Sequence, residues 1–290
     1  MMNGAVCPVT AAVAVVGIGG AAWAAAKSET KPTAARFAAV SALVFAAQMM
    51  NFPVQGGTSG HLIGGVLASV LLGTPFGILS MALVLSVQCL LFSDGGLAVL
   101  GANVVNMSLL GAGVGGLLAG GLQARPSALR IAAASWISVV LAAMACSAEL
   151  ALAGVIPFSQ SAPVMFGVHA LIGLGEALLA VAAVALLPAG EANARRGAAV
   201  PAFAALVIAL ILSPFASSLP DGLEWAAARL GFLHESAPAF VAPLAGYAFP
   251  GISIHALSTG LSGVAGVIAV LALGSRISRI WNRPAAMPVS

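Results

Sequence analysis

Long apolar runs recur along the whole chain, and they constrain its fold more than any other feature. The 290 residues are 61% hydrophobic and only 7% charged, whereas about 25% of the residues in a soluble domain are charged. A run of about 20 apolar residues can cross about 30 Å of hydrocarbon as a helix. Backbone polar groups have no water partner in lipid, so helices are the default spanning structure. The sequence therefore predicts an all-α integral membrane protein.

We predict about nine transmembrane helices, divided into a seven-helix unit and a two-helix unit. They cover residues 9–26, 36–50, 61–73, 75–92, 103–122, 129–153, 163–187, 200–216 and 255–274. The third has about 13 residues, or about 20 Å of helix, so it cannot cross the membrane alone. We expect it to begin partway into the membrane, with residues 51–60 folded in ahead of it. Irregular backbone at that depth is tolerated when it is buried in protein or lines a cavity.

Composition divides the chain into four predicted segments. Residues 1–188 contain seven spans, and residues 189–199 are a linker of small and charged residues. Residues 200–274 contain two spans joined by a long outer loop, 217–254, and residues 275–290 form a tail.

Basic residues set the predicted orientation. With the first residue outside and nine spans, ten of the 11 Lys and Arg residues face the cytoplasm, as the positive-inside rule requires. They are Lys27, Lys31, Arg36, Arg125, Arg130, Arg195, Arg196, Arg276, Arg279 and Arg283. Only Arg229 falls outside. We therefore expect a multi-pass protein of a bacterial or archaeal inner membrane, with the segments 51–61 and 93–106 on the outer side.

Several functional classes find no support in the sequence. Cys7, Cys89 and Cys146 are far apart, which argues against a disulfide framework or a zinc knuckle. There is no nucleotide-binding loop and no convincing grouping of a serine, a histidine and an acid. Active transport would therefore draw its energy from an ion gradient or from another subunit.

Ionisable side chains at membrane depth are costly and usually mark a pathway. His61 follows a glycine-rich stretch, and we favour it as a metal ligand over a histidine that is hydrogen-bonded to a loop. His169 and Glu176 share a helix face about 10 Å apart. For these two residues, and for Glu149 with Cys146 one turn before it, a structural role and contact with the transported species both remain open.

Three further polar residues flank the second outer segment. Asp94, Asn103 and Asn106 are interpreted as groups that orient a ligand histidine from behind or clamp a loop. Asp94 could also form only a turn with the glycines that follow it.

The outer loop contains a helix signature. Asp221 and Glu224 have the spacing of a capping box, and Gly231 can end the helix. The sequence therefore predicts a short helix outside the membrane.

Three motifs resemble the CbiM/NikM family, the substrate-capture membrane subunits of energy-coupling-factor ABC transporters for cobalt and nickel. They are Phe-Pro-Val-Gln-Gly-Gly-Thr-Ser-Gly-His at 52–61, Asp-Gly-Gly-Leu-Ala-Val-Leu-Gly-Ala-Asn-Val-Val-Asn at 94–106, and His-Ala-Leu-Ile-Gly-Leu-Gly-Glu at 169–176. The resemblance covers roughly residues 5–188. The stretch Pro-Asp-Gly-Leu-Glu at 220–224 resembles the accessory small subunit (CbiN/NikN or PDGLE type), here fused at the carboxyl end.

The resemblance implies uptake of Co(II) or Ni(II) from the outer face, with His61 as a metal ligand. It implies no enzymatic activity and no permanently bound cofactor in this chain. A separate ATPase pair would hydrolyse ATP, and a separate transmembrane subunit would couple it to transport. Nothing points to a nucleic-acid partner.

One departure concerns the amino terminus. The family begins Met-His, and that amine and imidazole help to hold the metal, whereas this chain begins Met1-Met2-Asn3-Gly4. We expect the native polypeptide to begin several residues upstream. Cys7 could substitute as a soft ligand, although a cysteine packed against apolar groups is the simpler interpretation.

Two other functional classes are weighed against metal capture. An autonomous ion-coupled secondary transporter or channel would be favoured by inverted repeats with broken helices, and the sequence shows no convincing internal repeat. An intramembrane enzyme using His61 or His169 would need a paired nucleophile.

Overall fold

The computed structural model describes residues 5–120, 126–187, 194–233 and 240–281, and it is overwhelmingly helical. Within these residues seven helices are long and apolar enough to cross a membrane. They are Val6–Lys27 (α1), Thr74–Phe92 (α4), the composite helix Leu97–Ala119, Ala128–Leu152 (α7), Phe158–Leu186 (α8), Gly197–Phe215 and His255–Ile280. The predicted all-α, multi-pass membrane architecture is confirmed.

Three of these spans are built from several helical pieces. The composite helix Leu97–Ala119 contains α5 (Leu100–Asn103), a π-helix (Val104–Val114) and α6 (Gly115–Ala119). The span Gly197–Phe215 consists of α9 (Ala194–Val207), a π-turn (Ile208–Leu212) and a 3-10 turn. The last span is α11 (His255–Ile277), extended by a short 3-10 turn.

The second predicted span forms α2 (Ala34–Gln48), an apolar helix of 15 residues. At 1.5 Å per residue it is about 22 Å long. Every side chain from Arg36 to Ala46 is buried, and α2 packs against α3, α4, α9 and α11. It is therefore the central helix of the bundle rather than a lipid-facing span.

The third predicted span is shorter still. It forms α3 (Gly65–Leu72), which has eight residues and a length of about 12 Å. Gly73, with φ +92°, turns the chain directly into α4. A side chain at Gly77 on α4 would collide with the backbone of Ser69, so the two helices form a closely packed antiparallel hairpin. The prediction that this segment cannot cross alone is confirmed.

In the described residues the only β-structure lies just ahead of α3. β1 (Phe52–Val54) pairs antiparallel with β2 (Thr58–Gly60), with Val54 opposite Thr58. The turn places Gly56 at φ +93° and Gly57 at φ +80°, which side chains other than glycine rarely adopt. Residues 51–60 do fold in ahead of the third helix, as predicted, and they do so as a β-hairpin.

The polar segments lie at the two ends of the helix bundle. At one end, Ser217 N–H donates to the Asn51 carbonyl at 2.8 Å, and Leu244 N–H donates to the Leu91 carbonyl at 2.9 Å. At the other end, Lys31 Nζ donates to the Trp281 carbonyl at 3.4 Å. Of the ten basic residues assigned to the cytoplasm, Arg125 and Arg283 lie outside the described residues.

The orientation can be tested by chemical labelling. In a variant whose three native cysteines are replaced by alanine, we expect a membrane-impermeant maleimide to label Ala228→Cys in intact cells. We expect Ser290→Cys to react only after the cells are opened, because ten of the 11 basic residues assign the tail to the cytoplasm. Labelling of Ser290→Cys in intact cells would contradict the predicted topology.

Candidate metal site

His61 lies on the extended segment that leads from the hairpin into α3. Its side chain is half-buried, and its Nδ1 atom is 3.2 Å from the Leu62 carbonyl oxygen. A side chain at Gly60 would lie 2.7 Å from Ile172, so only glycine lets β2 approach α8 this closely. This close contact places His61 between the outer hairpin and the membrane interior.

The turn after His61 is held by a buried carboxylate. The backbone N–H groups of Ile63 and Gly64 donate to the two oxygens of Glu176, at 2.6 and 2.9 Å. Gln48 Nε2 donates to the Ile63 carbonyl at 2.6 Å. Glu176 is fully buried, so these bonds form in a low-dielectric interior where charge-assisted hydrogen bonds are strong. Glu176 therefore positions the segment that carries His61.

Arg36 holds the other end of α3. Its Nε and Nη2 atoms donate to the Leu71 carbonyl at 3.3 and 3.1 Å, and its Nη1 atom donates to the Gly197 carbonyl at 3.4 Å. Glu176 thus lies at the amino end of α3 and Arg36 at its carboxyl end, which are the ends that favour negative and positive charge, respectively.

His169 on α8 faces the same region from the side. Its Nδ1 atom is 2.8 Å from the Met165 carbonyl, which leaves Nε2 as the nitrogen open to another partner. His169 interacts electrostatically with both His61 and Asp221, and Glu176 interacts with His61. His61 is therefore close enough to His169 and to Glu176 to interact electrostatically with each, and His169 interacts in the same way with Asp221, which the sequence had indicated only as a helix cap.

The predicted short helix is confirmed as α10 (Gly222–Leu230), and its position outside the membrane stays a prediction. Asp221 and Glu224 form the capping box, and Gly231 ends the helix at φ +76°. Gly222 packs so closely on α8 that a side chain there would lie 2.9 Å from His169 Cε1. The amino end of α10 therefore covers His169.

The segment leading into α10 is hydrogen-bonded to the hairpin. Ser59 N–H donates to the Pro220 carbonyl at 2.8 Å, and Ser59 Oγ donates to the Leu219 carbonyl at 2.7 Å. Thr58 Oγ1 also donates to Pro220, at 3.0 Å, and Trp225 Nε1 donates to the Gly56 carbonyl at 3.1 Å. We call residues 217–231 the cover, because these contacts place it over the hairpin.

Asp94 contacts Tyr247, a partner that the sequence did not indicate. Tyr247 O–H donates to Asp94 Oδ2 at 2.7 Å. Burial raises the pKa of the Tyr247 phenol well above its usual value, and the nearby Asp94 charge raises it further, so the hydroxyl stays protonated and able to donate. Asn103 lies against Gly95, in the position expected of a loop clamp. Asp94 and Asn103 therefore hold the outer loops together.

Asn106 and Glu149 pair with each other in the interior. Asn106 Nδ2 donates to Glu149 Oε2 at 2.8 Å. Cys146, one turn before Glu149, is buried in a cluster with Met165 and residues of α10.

Cys7 lies near the start of α1, where its carbonyl accepts a hydrogen bond from Thr10 at 3.1 Å. In the described part of the chain no three His, Cys, Asp or Glu side chains are grouped so that they could hold a metal ion. Residues 1–4, on which the expected Met-His start bears, lie outside the described residues.

Sequence reasoning missed several contributors to this region. Gln48 is a polar residue in an otherwise apolar helix, which is a signal that could have singled it out. Ser59 and Tyr247 gave no such signal, because their partners lie about 160 and 153 residues away in the chain.

Two family models match the chain. Residues 1–194 match CbiM, described as the cobalt uptake substrate-specific transmembrane region, and residues 195–283 match the PDGLE domain.

Named relatives are metal transport proteins. The putative fused nickel transport protein NikMN of Archaeoglobus fulgidus is 37% identical over 254 residues, which is 84% of this chain and 85% of that protein. The putative cobalt transport protein CbiM of the same organism is 32% identical over 149 residues, which is 49% of this chain and 69% of that protein. The probable fused nickel transport protein LarMN of Lactiplantibacillus plantarum is 31% identical over 52% of this chain and 45% of that protein.

A solved structure has the same fold. A crystal structure described as a truncated transition metal transporter aligns with a TM-score of 0.56 at 29% identity, covering 63% of this chain and 94% of that chain.

The capping role of Glu176 can be tested with Glu176→Gln. An amide offers one oxygen, so one of the two N–H groups would face an N–H donor instead of an acceptor. We expect a loss of about 2 kcal/mol, within the range for hydrogen bonds to charged groups, measured as a lower thermal unfolding temperature of the purified chain in detergent. Glu29→Gln, at an exposed position, is the matched control. Equal unfolding temperatures for the two variants would refute the capping role.

Proposed function

Because the chain belongs to the CbiM family of cobalt uptake substrate-specific transmembrane proteins and carries a PDGLE domain, we propose that it captures Co(II) or Ni(II) at the outer face of the membrane. In this proposal it is the substrate-specific subunit of an energy-coupling-factor ABC transporter. The observation that carries the proposal is the placement of His61. This imidazole lies on a segment fixed by Glu176 at the point where the outer hairpin enters the membrane.

Ligand chemistry supports this choice of substrate. Imidazole nitrogen suits nickel and cobalt, and affinity in such a site rises only modestly from cobalt to nickel. His61 is the favoured ligand, and His169 is the nearest second imidazole by its electrostatic interaction with His61. The carboxylate of Asp221 faces the same region and would attract a cation.

The cover gives the PDGLE domain a role in this proposal. It is hydrogen-bonded to the hairpin through backbone and hydroxyl groups, and it lies over His169. Neutral hydrogen bonds of this kind contribute about 1 kcal/mol each. In this proposal the cover opens for a hydrated ion and closes over a dehydrated one, and α10 keeps it beside α8.

The energy source is proposed to lie in partner subunits. The sequence has no phosphate-cradling loop, so a separate ATPase pair and a separate transmembrane coupling subunit would drive import. The alternative, an autonomous ion-coupled transporter, would not need them.

The role of His61 can be tested by metal uptake. We expect His61→Ala to reduce uptake of radiolabelled Ni(II) or Co(II) at least tenfold in cells, with normal amounts of the protein in the membrane, because the favoured ligand is lost. His255→Ala is the matched control, since His255 is an exposed histidine at the start of α11. Uptake by His61→Ala at the wild-type rate would show that His61 is structural.

The dependence on partners can be tested in liposomes. We expect the purified chain alone to hydrolyse no ATP and to concentrate no metal under an imposed ion gradient. Co-reconstitution with the ATPase and coupling subunits encoded in the source genome should restore ATP-driven uptake. Concentrative uptake by the chain alone would favour the secondary transporter.

A further inference from the structure

A second buried carboxylate lies in the interior, and its surroundings differ from those of Glu176. Glu149 on α7 and Asn106 on the π-helix are each 7% exposed, and one hydrogen bond of 2.8 Å joins them. Ionisable groups at membrane depth are expensive to keep, and they mark functional sites by default.

The two carboxylates differ in their hydrogen-bond partners. Both oxygens of Glu176 accept backbone N–H groups. Glu149 has only the Asn106 amide as a hydrogen-bond partner among the described residues, and Asn106 Oδ1 is buried with no hydrogen-bond partner there. A buried acceptor left without a donor costs about 1–3 kcal/mol and calls for an explanation.

The orphaned Asn106 oxygen and the neighbouring Glu149 carboxylate point to the same kind of ligand. Asn106 Oδ1 and Nδ2 belong to one planar amide, so Oδ1 lies close to the Glu149 carboxylate that Nδ2 contacts. Both groups are acceptors, and together they carry a formal negative charge. A cation would satisfy both at once, because carboxylate and amide oxygens are good ligands for divalent ions.

In the predicted topology, the pair lies outward from the segment that follows His61. A side chain at Gly111 would lie 3.4 Å from Ile63, two residues after His61, and Gly65 approaches the backbone of Gly111. Asn106 precedes Gly111 by five residues on the same helix, which is about one π-turn toward its outer end. Glu149 is three residues from the outer end of α7. The pair therefore lies about one π-turn outward, in the predicted topology, from the point where the segment that follows His61 meets this helix.

The winding of the helix supports a site here. Asn106 lies in an 11-residue π-helix, and π-helical turns occur frequently at functional sites.

We propose that Glu149 and Asn106 form an outer subsite that holds a divalent metal ion transiently, about one helical turn outward from the segment that carries His61. The inference rests on the proposed transport of such an ion. Two oxygen-donating groups and water bind the ion more weakly than a set of imidazole nitrogens, so the subsite can pass it inward.

The first test is uptake kinetics in cells that carry the complete transporter. Glu149→Gln keeps an oxygen to accept the Asn106 hydrogen bond and removes the charge. We expect the KM for Ni(II) or Co(II) to rise at least fivefold while the maximal rate changes less than twofold. Ser147→Ala, a buried neighbour on the same helix, is expected to keep the wild-type KM. An unchanged KM in Glu149→Gln would overturn the subsite.

The second test separates the subsite from the His61 site. The purified full chain in nanodiscs is titrated with CoCl2 by equilibrium dialysis in the His61→Ala background. We expect one weak equivalent of cobalt to remain. It should be lost in His61→Ala with Glu149→Gln, and kept in His61→Ala with Glu29→Gln. If His61→Ala binds no cobalt, or if the weak equivalent survives Glu149→Gln, the subsite is refuted. These outcomes leave the proposed function untouched, because that function is tested separately by concentrative uptake with and without the partner subunits.

Discussion

The capping of α3 at both ends is the interaction on which the rest of the structure depends. An eight-residue helix leaves about half of its backbone N–H and C=O groups without partners inside the helix, and lipid supplies none. Glu176 accepts the N–H groups just ahead of the helix, and Arg36 donates to its carboxyl end. Each charge matches the partial charge of the helix end that it meets. The short helix is stable at membrane depth because two neighbouring helices complete it.

The two charged side chains that hold α3 also connect it to the neighbouring helices. Arg36 is on α2, the central helix, and it also contacts Gly197 at the start of the PDGLE region. Glu176 is on α8, whose outer part contacts the cover at Gly222. The half-helix, the central helix and both family domains are therefore joined through two charged side chains. His61 lies at the junction because the chain enters the membrane there.

Much of the fold could be predicted from the sequence, because membrane spans have local signals. Apolar run length gave the spans, and a run of about 13 residues correctly indicated a helix too short to cross. The spacing of Asp221 and Glu224 gave the short helix α10. These inferences depend on residues a few positions apart, and the structure confirms them.

The geometry of the site could not be predicted, because it depends on partners distant in the chain. Glu176 accepts hydrogen bonds from residues 112 and 113 positions away, and Asp94 accepts one from Tyr247, 153 positions away. The hairpin at 52–60 was missed because a glycine-rich stretch between two spans indicates a loop more strongly than a strand. Polar residues in a membrane protein are visible in the sequence, but whether each one is structural depends on which backbone groups it meets.

Fusion of the two domains in one chain has a physical consequence for the cover. The helices that flank the cover, α9 and α11, pack along α2, and α10 packs in an apolar cluster with residues of α7 and α8. The direct hydrogen bonds between the cover and the hairpin are neutral and contribute about 1 kcal/mol each. Because the cover is part of the same chain, these weak bonds form within one molecule and do not have to offset the cost of association.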